Sequence, residues 1–185
     1  MLAMLLNASI ANADWVLNSK QSKFNFMTTK NASVTEKHVF EKITGSISSG
    51  AIATLKIDLA SVETGVPIRN ERMQELLFEV GRFQEAVVTL KPNRTQLDAL
   101  KAGEFFDQPV SANLNLHGME NSVDANLRIV KLADGGLLVT TIAPIVFNPE
   151  LFGMKNGIEK LRNIANLQSI TSLVPVTFSL VFDSK

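Results

Sequence analysis

The sequence holds two histidines, His38 and His117. Either one, beside a Ser, Asp or Glu, could act as general base in a hydrolase or isomerase of a lipid-like substrate. Their surroundings argue against it. His117 shares the polar parity of Asn113 and Asn115 and precedes Gly118, which predicts a water-facing side chain, and His38 stands in the charged run Glu36-Lys37-His38, which reads as an exposed loop. Two histidines are too few for a histidine-rich zinc site unless carboxylates complete it. The chain has no cysteine, so disulfides, thiolate metal sites and a cysteine nucleophile are excluded together. There is no Gly-x-Ser-x-Gly, phosphate loop or dinucleotide fingerprint, and Gly153 and Gly157 stand isolated. What remains is a pair of cations, Arg69 and Arg72, which could meet the polar head of a ligand or simply form a solvated helix face.

The elements that would position those arginines start with Ser61 to Leu90, one helical segment in an otherwise strand-rich sequence. Ile68, Met73, Leu76, Leu77 and Val80 share one side on a 3.6 period, while Glu71, Glu75 and Glu79 fall away from it. Pro67 suits the first turn and Gly81 offers a stop. Such a helix either lies against a sheet or closes one end of a barrel, with Arg69 and Arg72 near the mouth. A second stripe, Ile158, Leu161, Ile164 and Ala165, predicts another short helix, as core packing or as a second cover.

Around these helices the apolar residues alternate. The segments are Phe24, Phe26 and Thr28; Val39, Ile43 and Ile47, with Gly45 as a bend; Ala53 to Leu59; Ala86, Val88 and Leu90; Val110 to Leu116; Val123 to Ile129; Leu137 to Phe147; and Val174 to Phe182. Asp134-Gly135-Gly136 marks a hairpin turn. The stretch from Asn93 to Asp107 reads as weak helix or loop. Eight strands with one apolar parity each predict an all-β, antiparallel fold with two short helices, either a sandwich or a closed barrel. An eight-stranded barrel is just wide enough to be filled by its own side chains or to hold one small ligand.

Composition sets outer bounds. The chain of 185 residues is long enough for one domain with a sizeable core. Eighteen basic residues cancel eighteen acidic ones, which removes the field that would favour nucleic acid or an anionic surface. The first thirteen residues, MLAMLLNASIANA, have the apolar run and the Ala11/Ala13 spacing of a secretory leader, although no basic residue precedes the run. The expectation is a periplasmic or secreted protein whose barrel domain spans 14–185, and no other stretch is long and apolar enough for a membrane span. The Asn-x-Ser/Thr matches at Asn7, Asn31 and Asn93 are expected by chance.

Three stretches carry a resemblance to a known family. Ser61-Val62-Glu63-Thr64, then Arg69-Asn70, Met73, Phe78 and Phe83-Gln84, follow the family's helix region, with Asn70 where the family has Asp. Leu114, Leu116, His117, Gly118, Met119 and Val123 follow its strand and turn. Asn148-Pro149, then Phe152-Gly153-Met154, follow a third stretch, with Pro149 where the family has Arg. In order and spacing the chain, from Trp15 to Phe182, resembles the YceI-like family of exported bacterial proteins. The resemblance implies a lipocalin-like barrel that binds polyisoprenoid or related lipids without a cofactor and without catalysis.

On that reading the ligand would be an isoprenoid quinone, a polyprenyl lipid or a fatty amphiphile, in a monomer or homodimer. It would touch Phe24, Phe26, Ile43, Leu55 and Ile57 from the first three strands, and Val88, Leu114 and Leu127 from the next three. Phe147, Phe178 and Leu180 would contribute from the last two, and Arg69, Arg72 and Phe78 from the helix. The same apolar residues could instead fill the interior. A partner-binding role through a strand edge or the patch Leu151-Phe152-Met154 is the remaining alternative.

Overall fold

The computed structural model describes residues 13–185, so the leader expected over 1–13 lies outside it apart from Ala13. The strands are β1 (Ala13–Leu17), β2 (Lys23–Lys30), β3 (Val34–Phe40), β4 (Ile43–Ser48), β5 (Ala53–Asp58) and β6 (Val62–Glu63), then β7 (Glu85–Leu90), β8 (Phe105–Leu116), β9 (Met119–Lys131), β10 (Leu137–Thr141), β11 (Ile145–Phe147) and β12 (Val174–Ser184). The helices are α1 (Pro67–Arg72), α2 (Arg94–Ala99) and α3 (Lys155–Ile164).

All pairings between strands are antiparallel. They run β1-β4-β5-β7-β8-β9-β10-β12, and β1 then pairs back to β12, with Trp15 opposite Ser184 and Leu17 opposite Phe182. The ring therefore closes. β2 continues the course of β1 along β12, placing Phe24 opposite Phe178 and Phe26 opposite Val176, while β3 flanks β2 as β4 flanks β1. Three interruptions thus divide an eight-stranded barrel into shorter segments, and the two-residue β6 adds only a short ladder to β3. Closure removes the exposed edges that a sandwich would leave to neighbours.

The interruptions also change which residues face inward. Between β3 and β4 the backbone leaves the ladder at Glu41 and Lys42, whose amides bond Ser61. Inward parity therefore passes from the even residues His38 and Phe40 to the odd residues Ile43 and Ile47. The expectation of one continuous parity through Val39, Ile43 and Ile47 is corrected accordingly, since β3 presents its even residues to the interior.

The helix elements also differ in detail from the expectation. α1 passes directly into a wider π-helical turn, Met73–Leu77, in which Phe78 N donates to Met73 O at 2.9 Å, five residues back. The helical turn ends at Leu77, capped by Phe78, and Glu79 takes a φ of 48° before Gly81 is reached. α2 is a third short helix, capped by Asn93 Oδ1 accepting from Gln96 N, and β8 begins at Phe105 where loop was expected. Among the described residues no helix is long and apolar enough to cross a membrane.

Candidate functional site

The interior is a cavity of about 630 Å³. Ligand pockets commonly hold roughly 300–1,000 Å³, so this one has room for a substantial apolar molecule. Its exposure pattern shows where the space lies. At one end Leu137 (0 %), Leu97 (2 %) and Phe182 (5 %) are packed tight. Along the wall Phe24, Val88, Val110, Val139 and Phe178 point inward yet are only half-buried, because the void touches them.

Inward alternation makes this wall almost wholly apolar. Of the residues expected to meet a ligand, Phe24, Phe26, Leu55, Ile57, Val88, Leu114, Leu127, Phe147, Phe178 and Leu180 all line the cavity, and so do Phe78, Arg69 and Arg72. Ile43 does not. It is buried opposite Ile57 in the core, but the break at Glu41 and Lys42 sets it outside the cavity, while Ile47 of the same strand reaches it.

Both helical stripes cover the upper end of the barrel. Met73, Leu77 and Phe78 face the cavity from the π turn, and Ile158, Leu161 and Ala165 from α3. The two segments touch at Gly157, where a Cβ would stand 2.6 Å from Leu76 O and 2.9 Å from Leu77 Cα. Glycine is required there because two backbones meet. Gly157, isolated in sequence, thus seats the cover. The mouth opens beside this cover, between Ile68 of α1, Leu167 and Ile170, and the β2/β3 hairpin.

Polar groups gather at that mouth. Glu36 Oε2 accepts from Arg69 Nη1 at 2.7 Å and from Lys30 Nζ at 2.9 Å, and Arg69 Nη2 donates to Thr64 O at 2.6 Å. The Lys30 ammonium, followed by the Arg69 charge, holds the Glu36 carboxyl below its usual range. Asn70 leaves Arg69 to Glu36 and serves the loop instead. Its Oδ1 accepts from Thr64 Oγ1 at 2.6 Å and Thr64 N at 3.0 Å, and its Nδ2 donates to Glu63 at 3.0 Å. Arg72 lines the mouth with no carboxylate partner among the described residues.

Below this layer lies His38, and here the exposed-loop expectation is overturned. His38 belongs to β3, is 2 % exposed and faces the cavity, with its ring 5.1 Å from that of Phe26. Its Nε2 is 2.8 Å from Thr28 Oγ1. Burial pushes its pKa down to about 4, and the Arg69 charge acts in the same direction, so the ring is neutral at neutral pH.

His117 departs from the water-facing expectation in another way. It sits outside the cavity, its side chain 14 % exposed, with its ring 4.5 Å from that of Phe83 and Nε2 3.4 Å from Glu79. The supposed surface patch is also mostly interior. Phe152 and Met154 are 1 % and 3 % exposed, and only Leu151 faces solvent.

Lys30 and Glu36 escaped the sequence reading, and Thr28 and His38, though named there, were not expected together at a cavity, although a signal was there. They continue the inward parity of Phe24 and Phe26 in β2 and of Phe40 in β3.

Comparison with known proteins gives a consistent picture. The YceI-like domain matches residues 15–182. A polyisoprenoid binding domain from Saccharophagus degradans, implicated in plant cell wall breakdown, shares 34% identity and superposes with a TM-score of 0.92, over 94% of this chain and 100% of its own. BcnA of Burkholderia cenocepacia, 16% identical, has a TM-score of 0.68 over 89% of this chain and 98% of its own. A Campylobacter jejuni YCEI protein, 12% identical, has a TM-score of 0.58 over 80% and 84%. These last two likenesses speak for the fold alone. No curated relative matches the chain.

Proposed function

The chain belongs to the YceI-like family, and from that premise we propose that it binds a long-chain isoprenoid or another amphiphilic lipid inside the barrel, to carry or sequester it. One observation carries the reading: the cavity of about 630 Å³ has an almost wholly apolar wall, with Thr54 and Gln108 among the exceptions, while Lys30, Glu36, Arg69 and Arg72 gather at its mouth. That is the complement of an amphiphile with a long tail and a small head. Each buried methylene contributes roughly 0.8 kcal/mol before ordering costs, so a few isoprene units suffice for useful affinity. The relative from Saccharophagus degradans, a polyisoprenoid binding domain, supports the same ligand class.

In this role the protein is a binding protein. His38 is paired with a threonine, and His117, whose Nε2 lies 3.4 Å from Glu79, stands outside the cavity, so no histidine–carboxylate pair faces the ligand for base catalysis. The apolar leader supports export to the periplasm or the medium, with one domain from residue 14 onward acting as monomer or homodimer. Organic extraction of the purified protein followed by mass spectrometry tests the proposal. A long-chain amphiphile in near-equimolar amount is expected. Extracts without lipid, together with no uptake of added polyprenyl lipid, would defeat it, and turnover lost on replacing His38 or His117 would make the protein an enzyme.

A further inference from the structure

Three chain segments border the cavity mouth: the tip of the β2/β3 hairpin, the loop leading into α1, and the end of α3 with the stretch after it. They are tied together there. Asn31 N donates to Ser169 O at 2.9 Å and Thr171 N to Thr29 O at 2.8 Å, while the Arg69–Glu36 pair fixes α1 against β3. In a chain that is 19% charged, these segments carry no charge at all. No Lys, Arg, Asp, Glu or His occurs between Lys30 and Glu36, between Glu63 and Arg69, or between Arg162 and Asp183. The cations and the carboxylate of the mouth stand at their flanks.

What the rim presents instead is aliphatic. Val34, Val66, Ile68, Ile164 and Leu173 are each 40–50% exposed. Val66 and Ile68 line the cavity as well, so its apolar wall runs out through the mouth onto the surface. Ala32, with φ of 60°, adds a methyl group at the hairpin tip, where glycine would fit with less strain. The opposite end differs. Ile52 and Phe105 are as exposed there, but Leu97 and Leu137 close the barrel, and the Arg128 guanidinium lies 4.4 Å over the Phe105 ring.

We infer that the rim is a membrane-docking face, which rests on a neutral phospholipid bilayer so that a lipid tail passes between bilayer and cavity without crossing water. This rests on the lipid-binding reading and adds its partner. Charge agrees with a bilayer that need not be anionic. Lys30, Glu36 and Arg69 pair with one another, the whole chain has no net charge, and Arg72 is a single cation where anionic lipid is recognised by a cluster. Area agrees too. Five half-exposed aliphatic side chains offer on the order of 200–300 Å², well under the roughly 800 Å² per partner of a stable protein interface, and suited to weak, reversible partition. The opening itself favours a bilayer, since a protein cap would seal it. Each methylene left in water during transfer would cost about fourfold in equilibrium, which a docked mouth avoids.

The test uses vesicles of phosphatidylcholine and the full chain. Sedimentation should show half-binding at about millimolar lipid, equal at low and high salt. Val34, Ile164 and Leu173 lie outside the cavity lining, so Val34→Thr, Ile164→Gln and Leu173→Gln combined should weaken vesicle binding at least about tenfold. Calorimetric affinity for decylubiquinone in solution should stay unchanged. Should the triple variant fail to fold, single labels report instead, because the chain has no cysteine. An environment-sensitive dye on Val34→Cys should shift to the blue on vesicles, and the same dye on Ser49→Cys, in the β4/β5 turn at the closed end, should not. Decylubiquinone binding without vesicle binding overturns the inference and leaves the lipid reading standing. So does attachment only to anionic vesicles and lost in salt, a blue shift equal at both labels, or a dimer that the triple variant dissolves, which would make the rim a contact between copies. Failure to bind decylubiquinone or any added polyprenyl lipid overturns both.

Discussion

Ala112 lines the cavity from β8, so Ala112→Phe distinguishes a barrel with internal space from one filled by its own residues. At about 30 Å³ per water, 630 Å³ is the room of roughly twenty waters. A phenyl ring can enter that space without moving the wall. In ligand-free protein, burying the ring should stabilise the fold by about 1–2 kcal/mol or leave it unchanged. In a filled interior the same ring would cost about 1–3 kcal/mol through overpacking. The sign decides. For a domain of this size 1 kcal/mol moves Tm by roughly 2–4 °C, well within the reach of calorimetry. Leu137→Phe is the internal control, because Leu137 is 0 % exposed at the packed end and must overpack. The ring at position 112 should also displace about four ligand carbons, worth about 3 kcal/mol or more than a hundredfold in Kd. A Tm lowered by Ala112→Phe as far as by Leu137→Phe, with lipid affinity unaltered, would refute the reasoning.

Three further expectations concern the mouth and the cover. His38 has its folded-state pKa depressed to about 4 from an ordinary 6.5, so its contribution to stability is complete above pH 6.5 and is lost as pH falls towards 4. Denaturant midpoints measured across that window should fall for the parent protein and stay flatter for His38→Phe, with the lowered Glu36 carboxyl adding its own loss only below its ordinary 4.5. Gly157→Val should push α3 away from Leu76 and Leu77, at a cost of about 1–3 kcal/mol, and speed lipid release in stopped-flow exchange. Asn70→Asp places a second carboxylate beside Glu63 and removes the donated hydrogen bond, so thermal melts should show a lower Tm at pH 7 than for the parent, with a smaller difference at pH 3.

The antiparallel strands were legible because most carry one apolar parity. That parity suits a sandwich as well as a barrel, and closure depends on tilt and register that alternation does not record, so the barrel came from the family resemblance. The parity of β8 and β9 was read correctly because their ladder runs unbroken from Phe105–Val130 to Leu116–Met119. It failed at Val39 and Ile43, where two residues leave the ladder to bond Ser61, a long-range contact with no local mark in the sequence. His38 was misread for a related reason. Its neighbours Glu36 and Lys37 make the run look solvated, yet Glu36 and His38 face inward while Lys37 faces out, as alternation requires of any strand. The charge on Glu36 is tolerated because Lys30 and Arg69 arrive from β2 and α1, and such partners are invisible until the chain is folded. Asn70 illustrates the same limit. In sequence it lacks the carboxylate expected beside Arg69, whereas in space Glu36 of another strand supplies it.

Native mass spectrometry of the protein, purified from its own cells without detergent, tests the central claim most directly. One amphiphile of a single mass class should accompany each chain and be absent from the Ala112→Phe protein. Bare chains in both preparations, which also refuse added polyprenyl lipid, would contradict the account.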